Sequence, residues 1–156
     1  MKVNSKYHYG ILAMLELALN DKPEGLFLKD IAQCQQISPK YLAQVLTELK
    51  KAELIRNVLG RNTGYILTQK ASDISLYDIY RAFDPEIALL FCVEKPLVCD
   101  KKSLCASHRF FCGMSRHIRL YMQNCTLADL AEQEAGFRKE LAAGKRDPEK
   151  YECTKD

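Results

Sequence analysis

Four of the seven cysteines in this sequence, Cys92, Cys99, Cys105 and Cys112, fall between positions 92 and 112, and His108 stands among them. Thiolates and imidazoles are the ligands that soft metal centres take, so the cluster reads as a zinc or iron-sulfur site. A single free cysteine is more often a small buried hydrophobe. Four with a histidine are better explained as ligands. The gaps of six, five and six residues lack the paired two-residue gaps of common zinc knuckles and ribbons, which favours iron-sulfur. If a long helix begins near Ser103, then Cys105, His108 and Cys112 stand at i, i+3 and i+7 on one face, with Cys92 and Cys99 folding over them from a loop. Five donors then compete for four places. His8 and His117 are weaker candidates, because a lone histidine is more often a surface or packing residue.

A chain of 156 residues, 47% hydrophobic and 28% charged, can bury a core of its own and is bounded to one globular domain with an appended element. No apolar run approaches the about 20 residues that cross a bilayer, and the stretch from Ile11 to Leu19 is broken by Glu16. Without the apolar region of a signal peptide the chain is expected in the reducing cytoplasm, where disulfides do not form a framework. The net charge of +3 permits nucleic-acid binding without demanding it, so the placement of the charges decides.

Three helices are expected first. Tyr7, Ile11, Leu15 and Ala18 recur at helical spacing, and a shorter helix follows from about Leu28 to Cys34. Ser38 can then cap a third helix, with Pro39 in the first position, where its missing N–H costs nothing. Leu42, Val45, Leu46 and Leu49 give that helix its apolar face, opposite Lys40, Tyr41, Gln44, Thr47 and Lys50. Two short strands, Leu54 to Leu59 and Tyr65 to Thr68, flank the turn-forming run Gly60-Arg61-Asn62-Thr63-Gly64. This is the order of a winged helix-turn-helix. Ser38, Lys40, Tyr41 and Gln44 are placed to reach base edges, and Lys50, Lys51, Arg56 and Arg61 to meet phosphates or the minor groove.

A further helix is predicted from Ser75 to Phe83, followed by the cysteine loop and a long helix from Ser103 to Cys125. Phe111, Met114, Ile118 and Tyr121 form a seam on that helix with alternating spacings of three and four, which suits a second copy of the chain. A short helix from Thr126 to Ala135 and a flexible charged tail complete the chain. The expected organisation is therefore a winged helix-turn-helix domain over 1–83, a cluster loop over 84–102, a dimerisation helix with a short following helix over 103–136, and a tail over 137–156. The fold class is mainly α, with a two-stranded wing and a long C-terminal dimerisation helix.

The runs Ser5-Lys6-Tyr7-His8-Tyr9-Gly10 with Ala13-Met14-Leu15-Glu16-Leu17-Ala18-Leu19, Asp30-Ile31-Ala32 through Ile37-Ser38-Pro39-Lys40-Tyr41-Leu42, and Gly64-Tyr65-Ile66-Leu67 resemble the Rrf2 family of bacterial regulators. With Cys92, Cys99, Cys105 and His108, the resemblance is greatest to the IscR- and NsrR-type iron-sulfur members. It implies a homodimeric transcription factor, a repressor of a double-stranded DNA operator, whose affinity follows the state of its cluster. It also implies three cysteine ligands, Cys92, Cys99 and Cys105, with His108 as the fourth as in IscR-like members, or the position of His8 as in NsrR-like ones; Cys112, a thiol additional to the family's set, is an alternate to His108. A 2Fe-2S cluster is expected over a 4Fe-4S one. The sequence departs from the family in its longer first cysteine gap, its wing tip without proline, and Ala43 where IscR-like members carry an acidic residue.

The rival expectation is a thiol- or zinc-dependent regulator of the same fold without an iron-sulfur cluster. In that case Cys105 and Cys112 act as redox partners, or the site holds one structural metal. An enzyme is not expected, since a Cys-His pair would need an orienting third group and a pocket that nothing in the sequence marks.

Overall fold

The structure, a computed structural model, describes residues 4–60, 64–94 and 100–144. Helix α1 (Ser5–Ala18) starts where Asn4 Oδ1 accepts a hydrogen bond from Lys6 N at 2.9 Å. Its inner face carries Tyr7, Ala13, Met14 and Leu17. Gly10 also lies there, and a Cβ at that position would come within 2.5 Å of Phe83 Cε2.

Helices α2 (Leu28–Cys34) and α3 (Pro39–Lys51) follow. The turn between them is tight because Gln36 adopts a left-handed conformation, φ 52°. Ile37 N then bonds Ala32 O at 3.0 Å and Gln36 N bonds Gln33 O at 3.3 Å, which satisfies the last carbonyls of α2. Glu53, φ 59°, ends α3 in the same way, with Leu54 N on Leu49 O at 3.1 Å. Ser38 Oγ caps α3 by accepting from Tyr41 N, as its sequence suggests. The wing pairs β1 (Ile55–Asn57) antiparallel with β2 (Tyr65–Leu67), in the register Ile55 to Leu67 and Asn57 to Tyr65. Leu26 adds one more bridge on the other side of Tyr65.

Helices α4 (Leu76–Arg81), α5 (Phe91–Glu94), α6 (Ala106–Asn124) and α7 (Leu127–Ala142) complete the described fold. Ser75 with Asp78 and Thr126 with Asp129 form reciprocal capping boxes at the starts of α4 and α7. The two starts are joined, because Leu76 N bonds Cys125 O at 2.9 Å and Leu127 N bonds Ile74 O at 2.8 Å. The core gathers Met14, Ile31, Leu42, Leu46, Leu49, Ile55, Ile74, Ile79 and Leu127, all fully buried. Each such side chain contributes about 1.5–3 kcal/mol by leaving water. The winged-helix unit and α7 therefore share one core.

Several boundaries differ from the sequence expectation. The long helix begins at Ala106, with Cys105 as its cap, rather than at Ser103, and Leu104 before it is almost fully exposed. Cys92 sits on the short helix α5 instead of in a loop. Helix α7 continues to Ala142, so the tail expected from Phe137 is helical as far as that residue. Its charged residues support the helix, with Arg138 Nε 2.9 Å from Glu134 Oε1 one turn earlier. Arg61, Cys99 and the rest of the expected tail beyond Gly144 lie outside the described residues.

Candidate nucleic-acid interface and metal centre

On α3 the residues Lys40, Gln44, Thr47 and Lys51 fall at i, i+4, i+7 and i+11, which places them on one stripe, and all four are exposed. The opposite stripe holds the helix on the core through Leu42, Val45, Leu46 and Leu49. A helix held this way presents a polar face that can enter a major groove. Thr47 lies between Gln44 and Lys51 on that face, although the sequence reading named it only as a polar-face residue. Its Oγ1 donates to Ala43 O at 2.7 Å.

Other expected DNA contacts are already engaged within the chain. Lys50 Nζ donates to Asn57 Oδ1 at 2.7 Å and so ties α3 to the wing, while Lys51 pairs with Glu48 at 2.9 Å. Tyr41 is half-buried, with its ring edge-on to Tyr9 and its hydroxyl 3.1 Å from Ser5 Oγ. Ser38 has its Oγ turned to its own helix. Arg56 is exposed on β1.

The first two turns of α6, with the residue that caps them, carry three of the expected donors. Cys105 is the N-cap, and its Sγ accepts from His108 N at 3.4 Å. His108 Nε2 lies 3.4 Å from Cys112 Sγ, one turn further on. His108 Nδ1 is buried and has no hydrogen-bond partner among the described residues. Cys92, half-buried, comes from α5, which packs on α6. All three of Cys92, Cys105 and Cys112 are free thiols. Among the described residues no three such donors converge closely enough to hold a metal ion. His8 is exposed on α1, its ring against Tyr9. His117 Nδ1 lies 2.8 Å from Gly113 O on α6.

Cys105 caps α6 and Cys112 follows seven residues later, in the second turn of the helix. That separation puts about 10 Å between their Cα atoms, beyond the about 7 Å that a disulfide spans. A disulfide between Cys105 and Cys112 of one chain would therefore require the first turns of α6 to move.

The seam on α6 divides in two. Met114 and Tyr121 face solvent, at 39% and 71% exposure, together with Phe110 at 65%. Phe111 and Ile118 are half-buried, and Ile118 packs against the chain's own core. The exposed row is thus Phe110, Met114 and Tyr121. Among the described residues no helix is long and apolar enough to cross a membrane.

Comparison with known proteins places these features in context. The sequence model of the Rrf2 family, described as an iron-dependent transcriptional regulator, matches residues 3–133. The transcriptional regulator IscR of Klebsiella pneumoniae is 31% identical over 134 residues, covering 86% of this chain and 82% of that protein. The solved structure of T. potens IscR superposes with a TM-score of 0.70 at 30% identity, covering 86% of this chain and 88% of the other. CymR, the global cysteine regulator of B. subtilis, superposes with a TM-score of 0.68 at 27% identity, over 85% of this chain and 98% of its own.

Proposed function

Because the chain belongs to the Rrf2 family of transcriptional regulators, and is a winged-helix DNA-binding protein rather than an enzyme, we propose that it is a cytoplasmic homodimeric repressor whose operator affinity follows the state of an iron-sulfur centre at the head of α6. The observation that carries this reading is the gathering of Cys105, His108 and Cys112 in the first two turns of α6, beside the helix bearing Cys92. The ligands are Cys92, Cys99, Cys105 and His108, and a 2Fe-2S cluster is the expected group.

The donor set fits such a group. Three thiols and an imidazole match its preference for soft ligands. The buried, unpartnered His108 Nδ1 supports the fit, since a buried ring nitrogen without a partner costs free energy that ligation would recover. When bound, the centre supplies a cross-link that oxidation or iron loss can remove. The protein's own residues do the remaining work. Cys105 couples the site to the first turn of α6, the exposed row Phe110, Met114 and Tyr121 offers the surface for a second copy, and α3 reads the operator through Lys40 and Gln44.

Anaerobic purification followed by an absorption spectrum and iron and sulfide assays tests the proposal. The expected result is a brown protein with about two irons and two sulfides per subunit, and colour that is lost when Cys92, Cys99 or Cys105 is replaced by alanine. A colourless protein with stoichiometric zinc, or with no metal at all, points to the thiol- or zinc-dependent alternative. Similarity to CymR, a cysteine regulator, keeps that alternative in view.

A further inference from the structure

Cys112 has no place in the ligand set proposed above, yet its sulfur lies 3.4 Å from His108 Nε2. The spacing of four residues on a regular helix fixes that approach, because residues one turn apart share a face. The backbone of His108 is held as well, its N–H bonded to Cys105 Sγ. A neutral imidazole carries one N–H and one lone pair, and which nitrogen keeps the lone pair is decided by the partner of the other. Here the two nitrogens have unlike surroundings. Nε2 faces a thiol sulfur that can accept a hydrogen bond, and Nδ1 is buried with no partner among the described residues.

Resting on the reading that an iron-sulfur centre is held at the head of α6, we infer that Cys112 is a positioning residue for His108: it accepts the Nε2–H hydrogen bond and leaves the Nδ1 lone pair to bind iron. Metal-bound histidines generally donate their second ring N–H to an acceptor that fixes the ring's orientation. That acceptor is usually a carboxylate or a carbonyl. A thiol is a weaker one, so this chain holds its histidine by a softer contact than most metal-bound histidines have. Cys112 thus acts on the site without being a ligand, and the fifth donor of the sequence cluster has a role of its own.

Long-range nitrogen-proton spectra of histidine-labelled protein test the assignment before any iron is added, at an alkaline pH where imidazoles are neutral. The wild type should show His108 in the Nε2–H form, Cys112→Ala a mixture of tautomers, and Cys112→Ser, which retains an acceptor, the wild-type form. After reconstitution, Cys112→Ala should keep the wild-type absorption bands but lose iron to a chelator about tenfold faster, as the loss of an outer partner generally does. Cys112→Ser should largely restore retention. An unchanged tautomer in Cys112→Ala overturns the inference. So does a variant that loses the absorption bands altogether, as Cys105→Ala should, because Cys112 would then be a ligand. If the wild type takes up no iron or sulfide, the cluster reading itself falls and the ligand assignment falls with it, a result distinct from a failure in the metal-free spectra.

Discussion

Arg138 on α7 closes over Glu16 on α1, with Nη2 2.6 Å from Oε1 and Nη1 3.4 Å from Oε2, across 122 residues of sequence. Glu16 is buried at 7% exposure, and Gln35 Nε2 donates to the same Oε1 at 2.5 Å. Gln35 is the C-cap of α2, directly before the left-handed Gln36 that turns the chain into α3. The last helix is therefore tied to the turn that sets the direction of α3. Arg138→Met should cost about 2 kcal/mol, because it leaves a buried carboxylate short of its charge partner while the half-exposed arginine limits the loss. A fall in urea midpoint, partly reversed by adding Glu16→Gln, is the expected result.

On the DNA face, Gln44 and Lys40 should separate reading from attraction. Gln44→Ala should cost about 1–3 kcal/mol at one base position in each half-site if its amide pairs with an adenine edge. Lys40→Ala should weaken binding to all sequences alike and lower the salt slope by about one if it meets a phosphate. Mobility-shift titrations against operators changed one base pair at a time distinguish the two.

The divided seam separates two kinds of variant for testing the proposed dimer. Tyr121→Glu and Met114→Glu alter exposed side chains, so they should give folded monomers with reduced operator affinity. Ile118→Glu would place a carboxylate against the chain's own core and should lower thermal stability as well. Sedimentation and a thermal melt of the same three proteins check both statements. A Tyr121→Glu dimer with undiminished affinity would remove this face from the interface.

Tyr7 supplies a pH dependence. Burial, with Tyr80 and Cys125 nearby, pushes its phenol up to about 12 from 10.0, and its hydroxyl donates to Leu76 O at 3.3 Å. A raised folded value means that the native state holds the proton more tightly than the unfolded one, so its contribution is complete below pH 10 and is lost as pH rises from 10 to about 12. Denaturation of Tyr7→Phe across that window should show a shallower alkaline decline than wild type. Below pH 10 the variant should be weaker by about 1 kcal/mol, for the lost hydrogen bond.

The first half of the fold was largely legible because its signals are local. Ser38 and Pro39 mark the start of α3, and the apolar period of α1 to α3 is that of the core they bury. Residues that break local rules were not. Gln36 and Glu53 take left-handed turns without glycine, and cysteine is an unusual helix cap, so the sequence points to Ser103 rather than Ala106 as the start of α6. The end of α7 reads as a tail because Gly136 interrupts the helical pattern and a largely charged and polar stretch follows from Phe137, while the partner that orders Arg138 lies on α1. At the site, the clustering of donors was visible in the spacing. The turning of His108 toward Cys112 was not, since it depends on where the helix begins and which rotamer its neighbours allow.

The paired starts of α4 and α7 have a mechanical consequence for α6. Strand-like hydrogen bonds flanking Ser75 and Thr126, from Leu76 N to Cys125 O and from Leu127 N to Ile74 O, with a capping box on each side, clamp the chain immediately after Asn124, whereas Cys105 lies at the far end of the helix. A helix of 19 residues is a rod about 28 Å long, so one degree of tilt at the clamp displaces the tip by about half an ångström. The fulcrum and the load sit at opposite ends of a stiff arm, and the direction of gearing follows: small rotations beside the DNA-reading unit become large excursions among the thiols, and a restraint on the thiols is felt at the clamp with correspondingly high leverage.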